Sequence, residues 1–434
     1  MSLARDGLLN AIATADAWDD TPWLALADWL EEAGNPDHAL LRRLCAIRVP
    51  GMLDLEWMRA WGMESVRLIR DAIGSWPCYQ VTRRGWLRVE LRLESFRRLL
   101  ERGEPLIWPT EILLKVDGTE AVAEARRWLQ TQPWPGVRLG LRVVIGTAHR
   151  SFPAELSGIT QLTHVQVLIR GELPHGFPFS GSTELPGVRG IHIPAPISLR
   201  PEQIRWLAQQ PKLESLSLHV TTPLTAAPWW PLAESRALRS LQIQTPSPLD
   251  AEVLRGWSVM RNLQTLEWES LGPIAPELFE RLQHCSLQEL NLRGGNHLVG
   301  CRMAGFHQVE SVSLSGITRP IPASWLQQIA QLPRLRLLDL TGCVLDDAGL
   351  AAIVEAPNLE ELNLHGVTGV TARGFDRLLA APALRLLDVA RCSGTTPERV
   401  RIFRDRRPEC RVSAAHLATD FEPDPRLATD STDR

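Results

Sequence analysis

The chain is predicted to be an α/β solenoid in which each turn contributes one short strand and one helix or irregular segment. The pattern Leu-x-x-Leu-x-Leu, with other apolar residues sometimes replacing leucine, recurs ten times at spacings of 22 to 26 residues. A fixed period of this size is typical of repeat proteins. The units begin at Leu162, Val188, Leu213, Leu238, Leu263, Leu287, Val309, Leu335, Leu359 and Leu384.

The unit that begins at Leu335 shows why the pattern predicts a strand followed by a helix. Side chains alternate along a strand, so Leu338 and Leu340 point to one face while the residues between them point away. A helix-like stretch then runs from Asp347 to Glu355. One such unit cannot enclose its own apolar face, whereas stacked units share a continuous core.

Two units carry a family resemblance. Residues 335–343 read Leu-Arg-Leu-Leu-Asp-Leu-Thr-Gly-Cys and residues 359–366 read Leu-Glu-Glu-Leu-Asn-Leu-His-Gly, which resembles the leucine-rich-repeat family. The resemblance covers residues 161–412 and implies a curved leucine-rich-repeat solenoid. Residues 397–407 are expected to form a charged helix and residues 410–412 a last short strand, which together would cap the open end of the core. Pro194 and the segment 171–187 depart from the pattern, so the earlier units are expected to be irregular.

Residues 79–160 continue the same period more faintly. Residues 112–116 and 139–145 are strand-like, and residues 120–130 between them are helix-like. We therefore expect a junction with two degenerate strand-helix turns. The alternative is an independent small α/β unit that abuts the solenoid.

Residues 1–78 are expected to form a small helical domain, because apolar residues recur there at helical spacing and Gly34 to Pro36 ends a helix. The block Ala27–Glu32, Ala-Asp-Trp-Leu-Glu-Glu, followed by Gly-Asn-Pro, resembles the bacterial repeat-companion domain. The resemblance implies a helical module ahead of leucine-rich repeats. The next residues, Asp37–Leu40, depart from the Arg-Gly-Glu-Phe that is usual in that family.

Composition favours a cytoplasmic protein. The chain has 434 residues, is 44% hydrophobic and carries a formal net charge of −3. It contains no apolar run near the ~18–20 residues that cross a bilayer, and early acidic residues argue against a secretory signal. Seven cysteines without tight spacing favour reduced thiols. Arginines alternate with acids rather than forming a basic stripe, so neither a nucleic-acid nor a membrane partner is expected. We expect a disordered tail over 413–434.

We expect no catalytic, cofactor or metal site. The sequence lacks a phosphate-binding glycine loop, a His-Glu-x-x-His motif, a Gly-x-Ser-x-Gly motif and cysteine pairs at zinc spacing. Cys301 with either Cys285 or His307 could be imagined as a ligand pair, but isolated pairs of this kind are more often structural. The alternative is an enzyme whose site lies in the N-terminal third and uses Asp28, Glu31, Glu32 and His38.

The strand positions between the buried leucines form the predicted binding surface, on the concave side of the solenoid. Six acids and one arginine, Arg293, occupy these positions in the later units, which suggests docking of a basic surface of another protein. The alternative is that they are ordinary solvated strand residues. The candidate partner-binding residues are His219, Gln242, Gln244, Glu267, Glu269, Glu289, Asn291, Asp339, Glu361, Asn363, His365 and Asp388.

The sequence therefore predicts a non-catalytic scaffold that recognises a protein partner through the concave and edge surfaces of its repeats. It would act as an adaptor or regulatory subunit of a bacterial assembly. The alternative is an inhibitor or immunity-type protein that covers a partner enzyme. His164 and His192 share the predicted face and are interpreted as surface residues rather than metal ligands. Trp229 and Trp230 could be an exposed anchor, but packing in the convex core is favoured.

Overall fold

The computed structural model describes residues 3–15, 20–35, 37–46, 63–74, 77–81, 87–102, 110–117, 119–129, 137–146, 156, 162–170, 185–221, 226–246, 260–270, 276–294 and 302–414. The chain divides into two compact units. The first comprises Met1–Ser270 with His284–Leu287, and the second comprises Leu271–Gln283 with Gln288–Arg434.

Among its described residues, the first unit begins with four helices in the part of the chain predicted to be helical. Trp23, Leu26 and Leu30 are buried on one side of the second helix, as the helical spacing of apolar residues predicts. Pro22 lies in its first turn, where a missing backbone N–H costs nothing. The helices are α1 (Leu3–Thr14), α2 (Thr21–Glu32), α3 (Asp37–Ala46) and α4 (Met63–Ile73).

Strands then alternate with helices. The strands are β1 (Cys78–Val81), β2 (Leu87–Arg92), β3 (Thr110–Asp117), β4 (Val137–Gly146), β5 (Leu162–Arg170), β6 (Gly190–Ile197), β7 (Ser215–Val220), β8 (Ser240–Thr245) and β9 (Thr265–Ser270). The helices between them are α5 (Leu93–Arg102), α6 (Thr119–Leu129), α7 (Pro201–Ala208) and α8 (Ala226–Ala233). β1 pairs with β2 antiparallel, whereas β2 to β9 are parallel and lie side by side in chain order.

Alternation along the strands separates core from surface. In β2, Leu87, Val89 and Leu91 are buried while the residues between them are partly accessible. Phe96 and Leu99 of α5 are buried as well. Each turn thus encloses its apolar side chains between strand and helix.

The strands before residue 160 are part of the same sheet as the repeats that follow. The expected strands 112–116 and 139–145 lie within β3 and β4, and the expected helix 120–130 overlaps α6, which ends at Leu129. β4 pairs with β5 from Leu139 to Gly146, with one irregularity after Leu139. This strand pairing favours degenerate turns of the repeat over an independent unit that merely abuts the solenoid. The domain boundaries after residues 78 and 160 stay predictions.

Two arginines hold the C-terminal end of α1. Arg138, at the start of β4, donates from Nε to the carbonyl oxygen of Ala13 and from Nη2 to that of Ala15, both at 2.8 Å. Arg189 Nη1 donates to the Ala15 oxygen at 2.9 Å. The last carbonyls of a helix lack partners within the helix and form its negative end. The two guanidinium groups donate hydrogen bonds to these carbonyls. The last turn of α1 itself has no basic residue that could take this role.

The second unit contains shorter strands, again parallel and in chain order. The strands are β10 (Glu289–Arg293), β11 (Ser311–Ser315), β12 (Leu337–Asp339), β13 (Glu361–Asn363), β14 (Leu386–Asp388) and β15 (Arg411–Ser413). The helices are α9 (Pro276–Leu282), α10 (Ala323–Ala330), α11 (Asp347–Val354), α12 (Ala372–Arg377) and α13 (Pro397–Arg406), with a 3₁₀ turn at Leu378–Ala380.

The unit that begins at Leu335 has the predicted geometry. Leu335, Leu338, Leu340 and Cys343 are all buried. Asp346 caps α11 by accepting the Gly349 N–H at 2.7 Å, as a helix N-cap should. Together with the parallel register, this makes the fold an α/β leucine-rich-repeat solenoid.

The C-terminal cap was expected to consist of a helix over 397–407 and a last strand over 410–412. The structure has a helix over Pro397–Arg406 (α13) and a strand over Arg411–Ser413 (β15), and their role as a cap stays a prediction. Of the predicted tail, Ser413 lies in β15 and Ala414 is described, and residues 415–434 lie outside the described residues. Within the described ranges, none of the helices is both long and apolar enough to cross a membrane.

Candidate functional site

The candidate surface is the set of strand side chains that alternate with the buried core residues, which we call the outward face. In the first unit, the strand register places one such residue from each of β2 to β9 next to its neighbour. We call this line the charged row. It consists of Arg92, Lys115, Arg142, Gln166, His192, Ser217, Gln242 and Glu267.

Hydrogen bonds join the middle of the charged row. His192 Nδ1 lies 2.7 Å from Ser217 Oγ, and Ser217 Oγ donates to Gln242 Oε1 at 2.8 Å. Because the hydroxyl hydrogen is committed to Gln242, His192 Nδ1 is assigned as the donor. Burial, then the positive charges of Arg88 and Arg142, lower the pKa of His192. The neutral form is therefore favoured.

The predicted partner-binding residues of the first unit lie together. His219, Gln242, Gln244, Glu267 and Glu269 are half-buried on β7, β8 and β9. The register sets Gln242 beside Glu267 and Gln244 beside Glu269, and Gln244 Nε2 donates to Glu269 Oε1 at 3.0 Å. Each of these side chains is partly accessible, and the Gln244–Glu269 hydrogen bond joins two of them.

In the second unit, three predicted residues stabilise the chain reversal after their own strand. Asp339 Oδ1 accepts the backbone N–H of Thr341, Asn363 Oδ1 accepts that of His365, and Asp388 Oδ1 accepts that of Ala390, each at 2.9 Å. A short polar side chain that binds the backbone two residues on is a common turn device. These side chains therefore have a structural role, whatever they bind.

The prediction that all the outward positions are exposed is wrong for three residues. Glu289 is 1% exposed, Asn291 7% and Glu361 9%. Parallel strands lie about 4.8 Å apart, so side chains at paired positions cover one another. Glu289 is paired with Ser311 of β11, and Glu361 is flanked by Leu337 and Leu386. The accessible negative charge is consequently smaller than a count of acids along the sequence indicates.

The sequence-based prediction missed a group of ion pairs on β2 to β5. Arg88 Nε contacts Glu111 Oε2 at 2.5 Å, and His164 Nδ1 makes a close contact with Glu111 Oε1. Arg142 Nη1 pairs with Glu90. Burial alone would raise the pKa of Glu111, but His164 and Arg88 outweigh burial and hold that pKa well below its ordinary range. Glu111 is thus a buried carboxylate with two basic partners.

Glycine allows His164 to lie flat on the outward face. A Cβ at Gly190 would come within 2.4 Å of His164 Cδ2, so the imidazole lies directly over the Gly190 backbone. The alternation Leu-Arg-Val-Glu-Leu-Arg of β2 marks Arg88, Glu90 and Arg92 as outward. This alternation could have identified the outward face of β2 from the sequence. The predicted surface was defined by the leucine motif, which β2 lacks.

The alternative catalytic cluster in the N-terminal helices is an exposed ion-pair network. Arg42 Nη2 pairs with Asp28 at 2.7 Å and also with Glu31, and His38 Nδ1 lies 4.0 Å from Glu31. No group of three or more histidines, cysteines or carboxylates suited to a metal ion occurs among the described residues. Cys301 and the side chain of Trp230 lie outside the described part, whereas Trp229 is buried in α8, as core packing predicts.

No protein-family model matches the chain, and no curated protein matches it. Several solved structures resemble it at low identity. An internalin of Listeria monocytogenes is 10% identical, with a TM-score of 0.37, over 82% of this chain and 96% of the internalin. The TLR13–ssRNA13 complex has 14% identity and a TM-score of 0.40 over 69% of this chain and 52% of the other. The plant peptide hormone receptor RGFR1 in complex with RGF2 has 15% identity and a TM-score of 0.35 over 78% and 52%. The fold assignment rests on the chain's own repeats.

Proposed function

We propose that this chain is a non-catalytic recognition module, an adaptor or regulatory subunit of a cytoplasmic assembly, that binds another protein through its outward strand faces. The observation that carries the proposal is the ordered polar patch on β7, β8 and β9. Gln244 is hydrogen-bonded to Glu269 and Gln242 to Ser217, so these side chains lose less conformational entropy when a partner binds.

The acids of this patch favour a partner with basic residues at its interface. Glu267 and Glu269 alternate along β9 and both remain half-buried rather than enclosed. Complementary charge speeds encounter and fixes the register of a complex. An inhibitor that covers a partner enzyme is the second candidate, and the same patch would serve it.

The test is affinity capture with the full chain from its native cells, followed by identification of the retained proteins. Glu267→Arg with Glu269→Arg is the test variant, and Glu202→Arg with Glu234→Arg is the matched control. The control residues are exposed acids in and after helices, so both variants change the charge equally. A partner retained by the wild type and the control but lost by the test variant supports the proposal. Equal retention by both variants would refute recognition through this patch.

If capture succeeds, steady-state assays of the captured protein separate the two roles. An inhibitor abolishes the activity of a partner enzyme at stoichiometric ratio, whereas an adaptor leaves it active and brings a further protein into the complex.

A further inference from the structure

We propose that the start of the charged row, formed by Arg92, Lys115 and Arg142, binds an extended acidic segment of a protein partner. The inference rests on the proposed function, since the ligand is part of a protein, but it concerns residues outside the predicted partner-binding set. The segment bound here is acidic, whereas the patch on β7, β8 and β9 favours basic residues of the partner.

Three cations occupy consecutive positions of the charged row, and no acid stands between them in that row. Arg92 pairs in register with Lys115, and Lys115 with Arg142. Like charges directly opposite one another on neighbouring strands are destabilising. Lys115 is one of two lysines in the chain. The arrangement is therefore costly for the fold by itself, and an anionic ligand would offset the repulsion.

The positive charge is only partly neutralised within the unit. Arg88 is occupied by Glu111, and Arg142 shares Glu90 through Nη1. Arg142 Nε is buried without a hydrogen-bond acceptor. Arg92 and Lys115 form no ion pair with any residue that the structure describes, and Arg92 is exposed. Asp117 follows two residues after Lys115, and its side chain lies outside the described part of the structure.

The geometry favours a peptide. Paired positions on adjacent strands are about 4.8 Å apart, so the three cations span about 10 Å, whereas side chains on one side of an extended peptide repeat every ~7 Å. Two carboxylates in an acid-x-acid pattern therefore fit between three cations. Beyond the cations, Gln166 and His192 continue the row with hydrogen-bonding groups.

A single-stranded nucleic acid fits less well. Such ligands are held by aromatic side chains that stack on bases, together with a groove that tracks many phosphates. Among the described outward positions of β2 to β6 there is no Phe, Tyr or Trp. Glu90 and Glu111 also lie among the cations, which would repel a continuous phosphate backbone.

The test measures binding of a fluorescent peptide of alternating Glu and Ser to the full chain, with the Gln-Ser peptide and a single-stranded RNA as parallel probes. Arg92→Gln with Lys115→Gln is the test variant. Arg205→Gln with Lys212→Gln is the matched control, because both residues are exposed and lie outside the row. Melting curves establish that each variant is folded.

We expect the acidic peptide to bind wild type and control alike, and to bind the test variant at least about tenfold more weakly, with affinity falling as salt is added. No binding to the wild type, equal binding to both variants, or RNA binding tighter than the acidic peptide would overturn the inference. Partner capture that survives the test variant but fails with Glu267→Arg and Glu269→Arg would leave the proposed function standing without this inference.

Discussion

The outward faces of the two units use their polar side chains differently. In the second unit, Asp339, Asn363 and Asp388 hold the turns that follow three-residue strands, and Glu289 and Glu361 are buried. In the first unit, the strands β3 to β5 have eight to ten residues, and Arg92 and Lys115 have no role in a turn. Outward polar side chains therefore hold turns in the second unit, whereas Arg92 and Lys115 of the first unit form no ion pair with any residue that the structure describes.

The largest loss of stability is expected for a substitution in the repeat core, directly beside an outward position of the same strand. Leu338→Asp places a charge at a fully buried position and should destabilise the second unit by about 4 kcal/mol. Leu337→Ser, one residue earlier and half-buried on the outward face, should cost less than about 1 kcal/mol. Chemical denaturation measures the free energy of unfolding of both variants. Equal losses would contradict the assignment of Leu338 to the core and Leu337 to the outward face.

Glu111 tests whether the first unit depends on its buried ion pairs. Glu111→Gln leaves Arg88 and His164 without their carboxylate and should cost about 3 kcal/mol. The folded-state pKa of Glu111 lies below its ordinary value of 4.5, so its stabilisation is complete above that value and is lost as pH falls below it. Acid denaturation of the wild type should therefore steepen below pH 4.5, and that component should be missing in the variant. An unchanged acid profile would show that the pair contributes nothing.

Arg138 tests the attachment of the helical module. Arg138→Met retains much of the side-chain packing but removes the hydrogen bonds to the α1 carbonyls, each of which is charge-assisted. We expect the free energy of unfolding to fall by about 2 kcal/mol and proteolysis within residues 3–15 to become faster. Unchanged proteolysis there would mean that packing alone holds α1.

Asp388 tests the turn function in the second unit. Asp388→Ala removes the acceptor for the Ala390 N–H and should cost about 1 kcal/mol, whereas Asp388→Asn keeps the acceptor and should be nearly neutral. Thermal melting of both variants decides the point, and equal losses would indicate that the charge matters rather than the hydrogen bond.

Arg391 tests the same turns through a substitution that is expected to raise the stability of the unit rather than lower it. It has φ 58°, where the preceding repeats have Gly342 at 68° and Gly366 at 67°. Non-glycine residues are disfavoured in this region, so Arg391→Gly should stabilise the unit by about 1 kcal/mol, or less where arginine contacts are lost. Gly366→Ala, the reverse change, should destabilise by a similar amount. A rise in melting temperature for the second variant would refute this reading.

The sequence predicted most of the architecture because strand alternation and repeat spacing are local properties. Leu338 and Leu340 could be assigned to the core, and α13 could be predicted as a helix, from pattern alone. Burial on the outward face could not be assigned this way, because it depends on which residues the register brings side by side: Glu361 is covered by neighbours 24 and 25 residues away. The Arg88–Glu111–His164 group was missed for the same reason, since its members come from three different strands.

If the outward strand faces recognise the partner, their carboxylates should become inaccessible in the complex. Carboxylate footprinting with carbodiimide and glycine amide, followed by mass spectrometry of the free and partner-bound full chain, measures this accessibility. We predict that labelling of Glu267 and Glu269 falls in the complex while labelling of Glu202 and Glu234 is unchanged. Protection confined to Asp28, Glu31 and Glu32 would contradict recognition by the strand faces and place it on the N-terminal helices.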